Sequence, residues 1–356
     1  MAPRRGGGSS SSYSSYDDSP WGETVWLSLE HYQNKPLFIV QFVFDILSLL
    51  ALVAFLIWAC TIRNRSLPLK GVICALTSFI FSQINMIVLE AMLVAETKVT
   101  MYYLISFMLI DFFKLVAICL TLYVFWGLIH RFLGLIRASG KPHAAVTTIH
   151  SVFLGIIFLV SLAEWGLCVA YYVRSVTSHS VGEIAWTWTQ LNGAAYIVYW
   201  VLSTEILAWV IFVAIKAGNY AFASKLPAMA LITAAISWCA VCTTVAIINI
   251  RYNLMYTSYE YGRPTYLETA KTIIQFVLWV GTYAGVLLCC AKWHSLGDGR
   301  NYPAPQYQPQ YPPDQFPPDQ FPAGQYPPIQ QQPYGVAPYL DHSAQPQAHS
   351  HHVSRH

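Results

Sequence analysis

Seven apolar runs, separated by short polar segments, occupy the chain from residue 37 to residue 290. They are Leu37 to Cys60, Val72 to Ala95, Met101 to Leu128, Ile149 to Val173, Leu191 to Lys216, Ala228 to Ile250 and Tyr266 to Cys290. A bilayer core takes about 20 apolar residues in helical form, and each run meets that length. None of the twenty prolines falls inside a run, as expected where a missing N–H breaks a helix. The pattern predicts an all-α membrane protein, a seven-transmembrane helix bundle over residues 37–290. Residues 1–36 are polar, with a Gly/Ser/Tyr-rich run from Gly6 to Tyr16, and predict a largely disordered N-terminal segment. No apolar stretch precedes residue 37, so a cleaved leader is not expected. Residues 291–356 change to a low-complexity tail. It carries the near-repeats Tyr311-Pro-Pro-Asp-Gln, Phe316-Pro-Pro-Asp-Gln, Phe321-Pro-Ala-Gly-Gln and Tyr326-Pro-Pro-Ile-Gln. Such a segment cannot bury a core and is expected to be disordered, suited to weak multivalent docking.

Composition sharpens this. The chain is 55% hydrophobic and 10% charged, against about 25% charged for a soluble domain. Membrane lipids are therefore its first expected partners. Nucleic-acid binding has no basic cluster to rest on. The segments after the first, third and fifth runs carry Arg63, Arg65 and Lys70, then Arg131, Arg137 and Lys141, then Lys216 and Lys225, with no acid among them. The opposite side carries Glu96, Glu183 and Glu260 with the acidic N-terminal segment. By the positive-inside rule the N-terminus is expected outside and the C-terminus in the cytosol, with the plasma membrane the favoured location. The sequon Asn64-Arg65-Ser66 then faces the cytosol and should be silent. All eight cysteines lie in or at the ends of runs, so no disulfide framework is implied. Cys289 and Cys290, beside Lys292, are candidates for palmitoylation or for packed thiols.

Ionisable residues inside the runs carry the functional signal, because a charge at membrane depth is costly and is retained for a reason. The candidate ligand-binding set is Asp45, Glu90, Asp111, Lys114, Glu164 and Lys271, with Glu205 and Glu268 as additional members. Helical spacing groups them with other polar positions. Gln41, Asp45 and Ser48 share one face of the first run; Ser161, Glu164 and Cys168 share one of the fourth; Glu268, Lys271 and Gln275 share one of the seventh. Asn192, Tyr196, Tyr199 and Ser203 form the stripe of the fifth run, from which Glu205 points away toward a different helix contact. The inner halves of the runs read as free of acids and lysines, which predicts a pocket open outward and sealed below. The structural alternative has Asp111 with Lys114 and Glu268 with Lys271 as local i,i+3 pairs and the remaining acids as interhelical hydrogen-bond partners. Trp186, Trp188, Tyr252, Tyr256, Tyr259 and Tyr261 read as loop aromatics, either an interfacial belt or the rim of a binding mouth. Gly281-x-x-x-Gly285 reads as a small-residue packing face. Neither a metal-ligand set nor a cofactor motif accompanies these residues.

Seven spans, a short outer segment and a low-complexity tail resemble the G-protein-coupled-receptor-like integral membrane proteins, including orphan seven-helix proteins of filamentous fungi. The resemblance covers residues 37–290 and is architectural. After the third run the chain reads Ile129-His130-Arg131-Phe132 where the largest receptor class has Asp/Glu-Arg-Tyr, and the seventh run has Gly281-Thr282-Tyr283-Ala284-Gly285 in place of Asn-Pro-x-x-Tyr. Microbial opsins place an Asp four residues before the retinal lysine; Leu267 stands there before Lys271, and no retinal is expected. The resemblance implies a receptor or sensor with an unknown small-molecule ligand and a cytosolic signalling partner at loops and tail. Two other functions share the architecture, an intramembrane enzyme using buried carboxylates on a lipid or terpenoid substrate, and a transporter.

Overall fold

The computed structural model describes residues 19–28, 34–62, 67–136, 144–177, 181–218, 224–254 and 264–296. Seven long helices dominate: α1 (Lys35–Thr61), α2 (Leu69–Val94), α3 (Leu104–Ile136), α4 (Ala144–Thr177), α5 (Gly182–Gly218), α6 (Leu226–Asn249) and α7 (Thr265–Ala291). All seven are long and apolar enough to cross a membrane. Prolines mark their starts: Pro36 and Pro227 lie in the first turns of α1 and α6, and Pro68 and Pro264 cap α2 and α7. There the missing N–H is one that no intrahelical acceptor could have reached.

Neighbours in sequence are neighbours in space, α1 through α7, and α7 returns to pack on α1, closing a ring. α3 also reaches across to α5. Its second half is buried on nearly every face, with Leu122, Phe125, Leu128, Ile129 and Phe132 wholly covered. The outward faces are just as apolar: Ile57, Leu159 and Val277 are 63%, 65% and 59% exposed. An apolar surface that extensive belongs in hydrocarbon, and the chain is a multi-pass integral membrane protein.

The starts of α1, α3, α5 and α7 gather at one end of the bundle. Lys35 pairs there with Glu96 at 3.8 Å, joining the start of α1 to the turn after α2. The other end carries the α1–α2, α3–α4 and α5–α6 connections and the basic residues around them. A short antiparallel ladder covers the first end: β1 (Thr24–Trp26) pairs with β2 (Lys98–Thr100), and Trp21 stacks on Tyr102 at 6.0 Å. Residues 19–28 thus depart from the expected disorder of residues 1–36. The β-branched Thr24, Val25, Val99 and Thr100 favour extended backbone, and Glu96 at φ 49° turns the chain out of α2 so that β2 can meet β1. The bundle also continues past residue 290, where Trp293 packs edge-on against Phe132 at 4.6 Å and Leu296 is buried. The rest of the tail lies outside the described residues.

α5 begins at Gly182, ahead of the Leu191 start expected from hydropathy, so Trp186 and Trp188 are helical rather than loop aromatics. α6 ends in a π-helical turn, Ile250–Leu254, which takes in Tyr252; Tyr256, Tyr259 and Tyr261 fall outside the described residues. Gly281 and Gly285 face α6. A Cβ on Gly285 would stand 2.7 Å from the Ala230 carbonyl oxygen and 2.9 Å from Ala234 Cβ, and one on Gly281 would stand 2.5 Å from Ser237 Oγ. The small-residue face therefore seals α7 to α6 within the bundle. Replacing Gly285 by Val should destabilise the protein by about 1–3 kcal/mol through overpacking. Gly155→Ala, where an added Cβ meets nothing within 4 Å, should change stability by less than about 0.5 kcal/mol. Thermal unfolding of the two variants in detergent, followed by size-exclusion chromatography, checks the difference.

Candidate functional site

A cavity of about 190 Å³ lies inside the ring, walled by α1, α2, α3, α5, α6 and α7. α4 packs outside α3 and α5 and gives it no wall residue. Along α1 the wall passes from Gln41, Asp45 and Ser48 to Leu52 and Phe55, and along α7 from Glu268, Lys271 and Gln275 to Phe276 and Trp279. Both helices start at the β end, so the cavity is polar toward that end and apolar at depth. Its floor is aromatic. Phe79 and Trp279 rings lie 4.6 Å apart, Trp238 meets Trp279 edge-on at 5.2 Å, and Trp279 stacks on Tyr283 at 5.7 Å. Tyr283 in turn shares a 3.1 Å hydrogen bond with Thr121 of α3. Phe79, Trp238 and Trp279 thus stand together at the cavity's apolar end.

Asp45, Lys114 and Lys271 of the candidate set line this cavity, together with Glu268. Gln83 Nε2 donates to Asp45 Oδ1 at 2.7 Å, and Lys271 forms an ion pair with Glu268 one turn before it. Lys114 lies 5.8 Å from the Tyr196 ring centroid, and among the described residues no carboxylate is within ion-pair distance of its Nζ. A local i,i+3 pair of Asp111 with Lys114 is thus absent, whereas the Glu268–Lys271 pair is present.

Glu90, Asp111 and Glu164 do not line the cavity; each turns to a neighbouring helix. Glu90 shares a face of α2 with Gln83 two turns further on and is not itself a wall residue, but it adjoins two that are: Gln41 Nε2 donates to its Oε1 at 3.1 Å, and its carboxyl neighbours that of Asp45. Asp111 precedes Lys114 by three residues and faces α4, accepting the Cys168 thiol at 3.2 Å. Glu164, on α4 itself, accepts Asn192 Nδ2 at 2.8 Å and Trp188 Nε1 at 3.2 Å from α5. The polar stripe of α5 holds as spaced: Tyr196 and Tyr199 reach the cavity, and the Tyr199 hydroxyl bonds Ser161 of α4 at 2.6 Å. Among the described residues, three buried side-chain polar atoms make no hydrogen bond: Glu90 Oε2, Glu164 Oε2 and Trp238 Nε1.

Glu205 belongs to a separate constellation toward the basic end. Its Oε1 meets His150 Nε2 at 2.9 Å and its Oε2 accepts Trp126 Nε1 at 3.1 Å. This corrects the reading that the inner halves of the spans are free of acids: His150 opens the fourth span, and Glu205 lies at its level. His130 and His150 were not among the candidates. The signal for them was a histidine at the same end of each of two consecutive runs, Ile129-His130 and Ile149-His150. Cys289 and Cys290 are both wholly buried, a placement that fits packed thiols and presents neither sulfur for acylation.

No family model, curated protein or solved structure matches the chain.

The interhelical contacts of Glu164 generate a stability prediction. Glu164→Ala strands the Trp188 and Asn192 donors, costing about 1–3 kcal/mol for each group left unsatisfied. Glu164→Gln keeps an acceptor oxygen for both and should unfold at a higher temperature than Glu164→Ala. Equal melting temperatures for the two variants would show that these hydrogen bonds do not hold α4 to α5.

Proposed function

We propose that the protein is a seven-helix receptor or sensor that binds a small amphipathic molecule in the cavity. The observation that carries this reading is the change from polar to apolar wall residues along α1 and α7 together. A ligand with a polar group near Asp45, Lys114 and Lys271 and an apolar body against Phe79, Trp238 and Trp279 matches that gradient. Lys114, lacking a direct carboxylate partner among the described residues, supplies a counter-charge for an anionic group. Asp45 supplies one for a donor or cation. The volume bounds the size: a cavity of roughly 150 Å³ holds a benzene ring, so about 190 Å³ takes a ring-sized body with a compact head.

Ligand contact at the aromatic floor bears on Trp279, whose helix is locked to α6 through Gly281 and Gly285. A shift there moves α6 and α7 as one element, the two-state arrangement that a sensor requires. The distribution of Lys and Arg supports the cavity's polar end facing outward at the plasma membrane, with loops and tail meeting a cytosolic partner.

A thermal-shift screen of purified protein against small amphipathic carboxylates, amines and zwitterions tests this reading. A ligand at a hundred times its Kd stabilises by about 2.7 kcal/mol, a readily measured rise in melting temperature. Lys114→Met and Trp279→Ala should each remove the rise. Persistence in both variants, or no rise with any of the three classes, would contradict the reading.

A further inference from the structure

Three side chains from three helices form a continuous hydrogen-bonded row near the basic end. His130 Nε2 of α3 meets His150 Nδ1 of α4 at 2.8 Å, and His150 Nε2 meets Glu205 Oε1 of α5 at 2.9 Å. Aromatic rings enclose the central imidazole: Trp126 stacks on it at 5.2 Å and 16°, and Trp209 meets it edge-on at 5.9 Å. His150 is 2% exposed, while His130 is half-buried in the penultimate turns of α3. None of the three lines the ligand cavity.

The chemistry of the row follows from its donors. Trp126 Nε1 can only donate, so Glu205 Oε2 must accept. With Glu205 ionised, His150 donates through Nε2 and accepts through Nδ1, and His130 must donate through Nε2. Each contact of the row then joins one donor to one acceptor, and His130 Nδ1 is the one ring nitrogen of the row without a hydrogen-bond partner among the described residues. A proton added there allows a concerted shift. The His130 Nε2–H bond breaks as His150 Nδ1–H forms, and the His150 Nε2–H bond breaks as Glu205 Oε1–H forms. No electrons change hands. The product is a neutral Glu205 carboxylic acid donating to His150 Nε2, with His150 donating to His130, so both end states keep every hydrogen bond. The electrostatic neighbours of His130 are His150 and Glu205. Arg131 and Lys216, charged residues at this end of α3 and α5, are exposed, and Lys216 lies over the Phe212 ring.

We infer that His130, His150 and Glu205 form a proton-transfer chain that takes up a proton at the basic end of the bundle and stores it on Glu205. A purely structural cluster would need only a donor to the buried His150 Nδ1, a role that any side-chain N–H fills and that does not call for a group able to pass a proton on.

The test is a rapid acid jump on the full-length protein in lipid nanodiscs, with infrared detection of the protonated-carboxyl band. The band assigned to Glu205 is the one absent from Glu205→Gln. It should rise on acidification in the unaltered protein. His130→Gln, whose amide can bond His150 but cannot relay a proton, should slow that rise on the order of a hundredfold. His130→Ala should be slowed likewise and restored by free imidazole. An unchanged rate in His130→Gln, a slowed His130→Ala that imidazole does not restore, or the absence of any Glu205-dependent band would each overturn the chain.

Discussion

Charge inside a bundle whose outer surface faces hydrocarbon has to be matched from within. Neither lipid nor bulk water can solvate it there. That constraint explains why the ionisable residues of this chain sit on inward faces, and why each is found with a hydrogen-bond donor, an opposite charge or an aromatic ring. α3 serves as the hub because successive turns present different chemistry to different neighbours: Asp111 to Cys168 of α4, Lys114 to the cavity, and Trp126 and His130 to His150 and Glu205.

The polar residues resolve into three separate sets rather than one. The cavity holds Asp45, Lys114, Lys271 and Glu268. A seam between α3, α4 and α5 holds Asp111, Cys168, Glu164, Asn192 and Trp188. A third set, toward the basic end, holds Glu205 with two histidines. The aromatic floor separates the cavity from the rest of the interior, which gives the cavity one polar end and one apolar end. That asymmetry distinguishes it from the other two sets.

Much of this was legible in the sequence. Run length gave seven spans, and 3.6-residue spacing correctly grouped Gln41, Asp45 and Ser48, and also Glu268, Lys271 and Gln275, onto faces that share the cavity. What periodicity could not give was which face of which helix meets which neighbour. Glu164 lies within an apolar run just as Asp45 does, yet α4 lies outside the cavity wall, so Glu164 became a packing contact. Glu90 reaches the cavity only through the wall residues Gln41 and Asp45 that it adjoins. The histidines escaped notice because each lies among other polar residues at a run's edge, beside Arg131 and beside Thr147, Thr148 and Ser151, and only the packing of α3 against α4 makes them a pair. The β1–β2 ladder was hidden for a similar reason, its strands being three residues each and paired across α1 and α2.

The proposed ligand site requires a cavity that admits water and small molecules at its polar end and is closed by aromatic rings below. Thiol labelling of single cysteines placed along α7 measures this directly, at Thr272, Gln275 and Trp279, with a membrane-impermeant reagent and the parent protein as background. The account predicts rapid labelling at Thr272→Cys and Gln275→Cys from the β end alone and little at Trp279→Cys. Equal labelling at all three positions, or labelling from the basic end, would contradict it.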